Sequence, residues 1–199
     1  YATAQQFLEE YTQNHPSSSN IQEAEYMLAC TVYELKADNS AEILRDYLDK
    51  YPDSPHANRI YSLIANSYYY KGMYDDAIAM FNSSELYKLS DTERDVATYH
   101  LALSYMEVGQ PQEAAVWFKT LLATSTAYYN DARYNLAYID YTQKRYDEAL
   151  PVFLNLQDNP KYKELVPYYI AEIYLVKKNY DKSEIVAEGY LSSYPRNEN

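Results

Sequence analysis

The side chains that could do chemistry are few and scattered. The three histidines, His15, His56 and His100, lie roughly 40 residues apart, and none has a second ligand type at metal spacing. His15 and His56 fall in turns between helices; His100 falls within a helix and reads as a structural imidazole. Glu9-Glu10 and Asp75-Asp76 look like paired carboxylates, but adjacent residues on a helix do not face each other, so neither is an acid–base pair. Cys30 is the single cysteine, which removes an internal disulfide, a redox pair and a cysteine metal cluster. On a helix it reads as a small buried residue. Neither a Gly-rich phosphate loop nor an H-E-x-x-H motif is present, and Asn82-Ser83-Ser84 is a glycosylation sequon in spelling only. These residues lead us to expect no enzyme activity, no catalytic residue, no metal and no cofactor.

What the chain does have is tyrosine: 27 residues of 199, against 4 Phe and 1 Trp. A tyrosine packs its ring and keeps a polar tip in water, which suits half-buried helix faces. The charge balance is 17 basic against 29 acidic residues, net −12. That disfavours nucleic acid and anionic membranes, both of which call for a basic surface. Lys161, Lys163, Lys177, Lys178 and Lys182 are interleaved with Glu164, Glu172, Asp181 and Glu184, so they read as a solvated face. No apolar run approaches the roughly 18 residues of a membrane span, so no direct membrane insertion is expected.

The elements that must carry these side chains are short helices in pairs. Tyr61, Ile64, Ala65 and Tyr68 form an apolar stripe at helical spacing; Lys71-Gly72-Met73 interrupts it; Tyr74, Ala77, Ile78 and Phe81 repeat it. Two helices of this length cannot bury both their faces alone, and the chain supplies similar pairs on either side. A first helix over 3–14 ends at His15-Pro16, since the residue before proline avoids the helical region. Helices are then predicted over 21–35 and 40–50, 55–70 and 74–84, 95–108 and 112–123, 129–143 and 146–156, and 164–176 and 180–192. Residues 86–90 form a connector, and Asp91 with Glu93-Arg94 starts the helix that follows it. With 3 glycines and 8 prolines, nothing favours a turn-rich β fold.

The register is periodic. Small residues recur at Ala29, Ala65, Ala102, Ala137 and Ala171, spaced by 36, 37, 35 and 34. A second set, Ala41, Ala77, Ala114, Ala149 and Ser183, follows each by 12, and Phe81, Phe118 and Phe153 come four later. Tyr47-Leu-Asp-Lys-Tyr-Pro52 returns as Tyr190-Leu-Ser-Ser-Tyr-Pro195, with a looser copy at Tyr11-Thr-Gln-Asn-His-Pro16. This pattern resembles the tetratricopeptide repeat (TPR), most closely at Ile64-Ala65…Tyr68…Gly72…Tyr74…Ala77…Phe81 and Leu101-Ala102…Tyr105…Gly109…Ala114…Phe118. Arg45 stands where an aromatic belongs, Asp140 where a Tyr belongs, and Ser183 and Ala187 depart in the last repeat.

The resemblance implies an all-α fold, an α-solenoid or right-handed superhelix of antiparallel helix pairs. It implies a single array over 1–199, with a leading half-repeat at 1–16 and repeats at 19–52, 56–90, 94–127, 129–160 and 164–196. Because the chain opens on Tyr and on half a repeat, we expect a piece of a longer or processed protein. The Tyr-Pro endings are similar to those of bacterial cell-envelope TPR proteins, which points to the periplasm or outer membrane, with the cytoplasm as alternative.

In TPR arrays the first helices line a concave face that meets a protein or peptide. Carried over repeat by repeat, the resemblance assigns that face to Tyr26 and Tyr33; Arg59, Asn66, Tyr69 and Tyr70; Tyr99 and Met106; Tyr134, Tyr138 and Tyr141; and Tyr168. Cys30, Ser62, Leu103, Asp131, Glu172 and Leu175 occupy equivalent positions. A tyrosine-paved groove could hold an extended peptide or a partner helix, since tyrosine gives contact area at little entropic cost. Only Arg59 and Asn66 match the Lys/Asn/Arg set of TPR domains that clamp a C-terminal carboxylate, so that subtype is not expected. The expected function is a protein-interaction scaffold. The alternatives are a spacer within a longer array, which could associate end to end, and an envelope accessory protein that stacks tyrosines on glycans.

Overall fold

The computed structural model describes residues 1–124 and 126–194. Among the described residues no strand is present. The helices are α1 (Ala2–Asn14), α2 (Ile21–Glu34), α3 (Ser40–Lys50), α4 (Ala57–Tyr70), α5 (Tyr74–Ser83), α6 (Asp91–Glu107), α7 (Pro111–Leu122), α8 (Tyr129–Thr142), α9 (Tyr146–Leu156), α10 (Val166–Val176) and α11 (Tyr180–Ser193). A short 3-10 helix, Leu86–Lys88, occupies the expected connector. Helix α6 starts at Asp91 because Ser90 and Glu93 form a capping box: the Ser90 side chain accepts from the Glu93 backbone N–H, and the Glu93 carboxylate accepts in return. Helix α10 starts two residues later than expected, with Pro167 in its first turn, where a missing N–H costs little.

The chain divides into two compact units, Tyr1–Trp117 and Phe118 onward. In the first, α1 packs on α2, and each helix from α2 to α5 packs on the next. Ala65 and Ala77 are fully buried and let α4 and α5 approach closely, while Phe81 fills the space against Ala97 and Leu101 of α6. Ala29, Leu44, Tyr47, Ile60 and Ile64 form a second cluster across α2, α3 and α4. In the second unit α8 packs on α9, α9 on α10 and α10 on α11, around Ala137, Ala149, Phe153, Ile170 and Ile173.

Two local devices recur. Each first helix ends in a residue with left-handed backbone: Lys36, Gly72, Gly109, Lys144 and Lys178, with φ of 55°, 71°, 74°, 62° and 58°. At Gly72 its N–H reaches the Tyr69 carbonyl at 3.0 Å and the Met73 N–H reaches that of Tyr68 at 3.0 Å, satisfying carbonyls left open at a helix end. The same pair of bonds closes the other four turns. The second device explains the repeated hexapeptide. The Tyr47 hydroxyl meets the Ser54 hydroxyl at 2.7 Å, and Tyr11 meets Ser18 at 2.8 Å. Each serine oxygen also accepts the backbone N–H two residues on, at His56 and Asn20. A tyrosine near the end of one pair thereby fixes the entry to the next. Pro195, in the third copy of the hexapeptide, lies outside the described residues.

Three of the four positions that depart from the repeat pattern, Arg45, Asp140 and Ser183, find partners of their own. Arg45 lies 5.7 Å over the Tyr68 ring and donates to its hydroxyl at 2.5 Å, taking the place of an aromatic contact. Asp140 accepts from the Arg145 side chain, and Ser183 donates to the Ala171 carbonyl at 2.9 Å.

Candidate functional site

In the first unit the site residues sit on three successive first helices, α2, α4 and α6. Arg59 is their hub. Its guanidinium donates to the Tyr26 hydroxyl of α2 at 2.5 Å and to the Glu93 carboxylate of α6 at 2.5 Å, and it lies 3.4 Å from Cys30 Sγ. Burial works against the Glu93 charge, but hydrogen bonds from Ser90 and Arg59 outweigh it and hold this carboxyl below its usual range. Burial pushes the Cys30 thiol up, which keeps it from being a reactive thiolate at neutral pH. Tyr26 stacks on His56 with centroids 3.7 Å apart.

Asn66 is buried. Its side-chain oxygen accepts from His100 Nδ1 at 2.6 Å, which fixes the proton on that nitrogen. Tyr69 stacks on the same imidazole at 4.1 Å, and Tyr70 meets it edge-on at 5.2 Å. Buried in this way, His100 has its pKa lowered to about 4. Tyr33 is half-buried, and burial pushes its hydroxyl up. With Tyr70 it walls a cavity of about 460 Å³ floored by Ser40 and Ser67. Tyr99 and Met106, on α6, are half-buried. Tyr70, at 66% exposure, presents most of its ring to solvent.

In the second unit Tyr134, Tyr138 and Tyr141 form one stripe along α8, and the rings of Tyr134 and Tyr138 run nearly parallel, 6.4 Å apart. Tyr168 and Glu172 form a stripe on α10. Tyr141 donates to the Glu172 carboxylate at 2.5 Å. Tyr134 is anchored from below, stacked on Tyr162 at 4.6 Å, and Tyr162 in turn donates to the buried Asp131, which also pairs with Lys161 at 2.6 Å. Tyr169 packs against Tyr138, Tyr141 and Phe153. Tyr168 is 63% exposed.

The structure therefore brings Tyr26 and Arg59 together, gathers Asn66, Tyr69 and Tyr70 around His100, and sets Tyr134, Tyr138, Tyr141 and Tyr168 on neighbouring stripes. Reading the sequence missed the supporting residues: Glu93, His100 in its role as a tie, Tyr162 and Tyr169. The spacing could have pointed to two of them. His100 follows Asn66 by 34 and Glu93 follows Arg59 by 34, one repeat apart in each case. Among the described residues no group of three or more His, Cys, Asp or Glu could hold a metal ion, and no helix is long and apolar enough to cross a membrane.

Comparisons with known proteins bear on the fold. Tetratricopeptide repeat family models match residues 23–54 and 99–162. No curated protein sequence matches the chain. Among solved structures the chain is similar to YrrB, a TPR protein with an unusual peptide-binding site, with a TM-score of 0.74 and 17% identity over 96% of this chain and 95% of that one. It is similar to a tetratricopeptide repeat protein from Parabacteroides merdae, with a TM-score of 0.65 and 15% identity over 96% and 72%. BtubC from P. vanneervenii gives a TM-score of 0.61 and 17% identity over 100% and 92%. At these identities the likeness speaks to fold: the chain is all-α, with helix pairs arranged as in these solved tetratricopeptide repeat structures, and its two matched segments resemble that repeat.

Proposed function

We propose that the chain is a non-enzymatic protein-interaction scaffold that holds an extended peptide or a partner helix on the tyrosine-rich stripes of its first helices. The observation that carries this reading is the α8 and α10 surface. Its rings are oriented by neighbours beneath them, Tyr134 by Tyr162 and Tyr141 by Tyr169, before any partner arrives. A rigid aromatic face loses little entropy on binding. Tyr26, Tyr33, Arg59, Asn66, Tyr69, Tyr70, Tyr99 and Met106 form the corresponding face of the first unit in this reading. There Arg59 and Asn66 act by holding neighbouring helices in place, and Tyr70 offers contact area. Peptide binding by YrrB, a protein of similar fold, supports the reading by analogy. The Tyr-Pro repeat endings favour a bacterial cell-envelope setting.

The test is affinity capture from a source-cell extract, with the parent beside a Tyr99→Ala, Tyr134→Ala, Tyr138→Ala variant whose helicity is verified by circular dichroism. The expected result is a partner held by the parent and lost by the variant. Equal capture by both would move the binding surface elsewhere.

A second reading has its own observation. Helix α11 has no buried residue, and it leaves Ile185 and Leu191 68% and 55% exposed. Such a face suits stacking against a further repeat or a second copy. A sedimentation profile that stays monomeric across the micromolar range would count against self-association.

A further inference from the structure

Glu172 stands out among its equivalents. The positions that share its place in the repeat are Cys30, Asn66, Leu103 and Tyr138, none of them charged at neutral pH. The carboxylate is half-buried on α10 and accepts a hydrogen bond from Tyr141 at 2.5 Å. Hydrogen bonding to Glu172 pushes the hydroxyl of Tyr168 up, and burial followed by the same carboxylate does so for Tyr141. Both phenols therefore stay protonated as donors.

Among the described residues no lysine or arginine pairs with Glu172. The basic side chains of this unit that do form ion pairs form them elsewhere: Lys161 with Asp131, Lys177 with Asp147 and Arg145 with Asp140. Glu172 is thus a half-buried carboxylate flanked by tyrosines and held in place by a phenol, with no ion-pair partner among the described residues. The faces of aromatic rings attract cations, and a carboxylate beside them adds a full charge.

We propose that Tyr138, Tyr141, Tyr168 and Glu172 form a subsite for a cationic side chain, lysine or arginine, of an extended basic peptide segment. This deepens the scaffold reading and rests on it. Charge complementarity selects the occupant. The chain carries net charge −12, and the anion on this face is unpaired, so an acidic or neutral peptide would leave Glu172 buried without a counter-ion.

The probe is a fluorescein-labelled dodecapeptide of alternating glycine and lysine, with its fully lysine-acetylated counterpart. Anisotropy titrations on the full chain at about 0.15 M salt, where long-range attraction is screened, report affinity. The parent should bind the lysine peptide and not the acetylated one. Glu172→Gln, which keeps the shape, should weaken binding about tenfold, and Tyr168→Ala should weaken it several-fold. Glu184→Gln removes an equal charge from the exposed face of α11 and should change binding less than twofold. Equal losses from Glu172→Gln and Glu184→Gln would reduce the effect to net charge and overturn the proposal, as would no binding by the parent. If the tyrosine variant of the capture experiment loses its partner while Glu172→Gln leaves the lysine peptide bound, the cation subsite falls and the scaffold reading stands. If that variant keeps its partner, the tyrosine stripes fall first as the binding surface.

Discussion

His100 is packed between Tyr69 and Asn66, and this burial has a consequence in acid. The imidazole has its pKa lowered to about 4 from the usual 6.5, so the folded chain holds it neutral. Between those two values the unfolded chain binds a proton that the folded chain refuses. The contribution is therefore fully present above about pH 6.5, declines as the pH falls, and is lost by about pH 4; its upper limit is about 3 kcal/mol. In urea denaturation the parent should lose more stability between pH 7 and pH 4.5 than His100→Gln, which cannot titrate. Identical losses in the two proteins would show that His100 is not the group responsible. His100 could be read from the sequence as a structural histidine, because it falls mid-helix with no second ligand type nearby. Its partner could not, since nothing in the type of Asn66 distinguishes a buried acceptor from a surface contact. Arg59 shows the same limit: its position is legible one repeat from Glu93, but its role as the tie between α2, α4 and α6 needs three helices in place.

At the scale of the helix, glycine gives two opposite expectations from one chemical change. Gly72 sits at φ 71° in the turn after α4, and a Cβ there would meet nothing within 4 Å. The cost of Gly72→Ala is therefore purely that of left-handed backbone, about 1 kcal/mol. Gly189 lies inside α11, also with nothing within 4 Å of an added Cβ. There alanine removes the entropy glycine loses on folding, and Gly189→Ala should stabilise by about 0.5–1 kcal/mol. Chemical denaturation of both variants checks the pair, and shifts of the same sign would refute the assignment of these two backbones. The helices themselves were readable from the stripes, because each pair must bury one face against the next. The five αL turns were only half readable. Gly72 and Gly109 mark them openly, whereas Lys36, Lys144 and Lys178 adopt the same backbone, and a lysine carries no signal for positive φ. The Tyr47–Ser54 and Tyr11–Ser18 contacts were hidden for another reason: the repeated hexapeptide ends at proline, two residues short of the serine that completes each contact.

Across the whole chain, α1 to α6 and α8 to α11 each pack on their immediate neighbours within their own unit, so a defect should be felt locally. Phe81 is 1% exposed and joins Ala65 and Ala77 to Ala97 and Leu101. Truncating it to alanine removes ring contacts and leaves a cavity, at a cost of about 3–5 kcal/mol. In a protein with one indivisible core, that loss would lower every exchange barrier alike. In a repeat protein it should fall on the helices whose interfaces Phe81 completes. Native-state hydrogen exchange of Phe81→Ala should show reduced protection across α4, α5 and α6, with α9 and α10, built on Phe153 and Ile170, keeping theirs. Protection lost uniformly from α1 to α11 would mean that the chain unfolds as a single cooperative body. The stability of the tyrosine and Glu172 surface would then depend on every repeat, not only on the α8–α10 core beneath it.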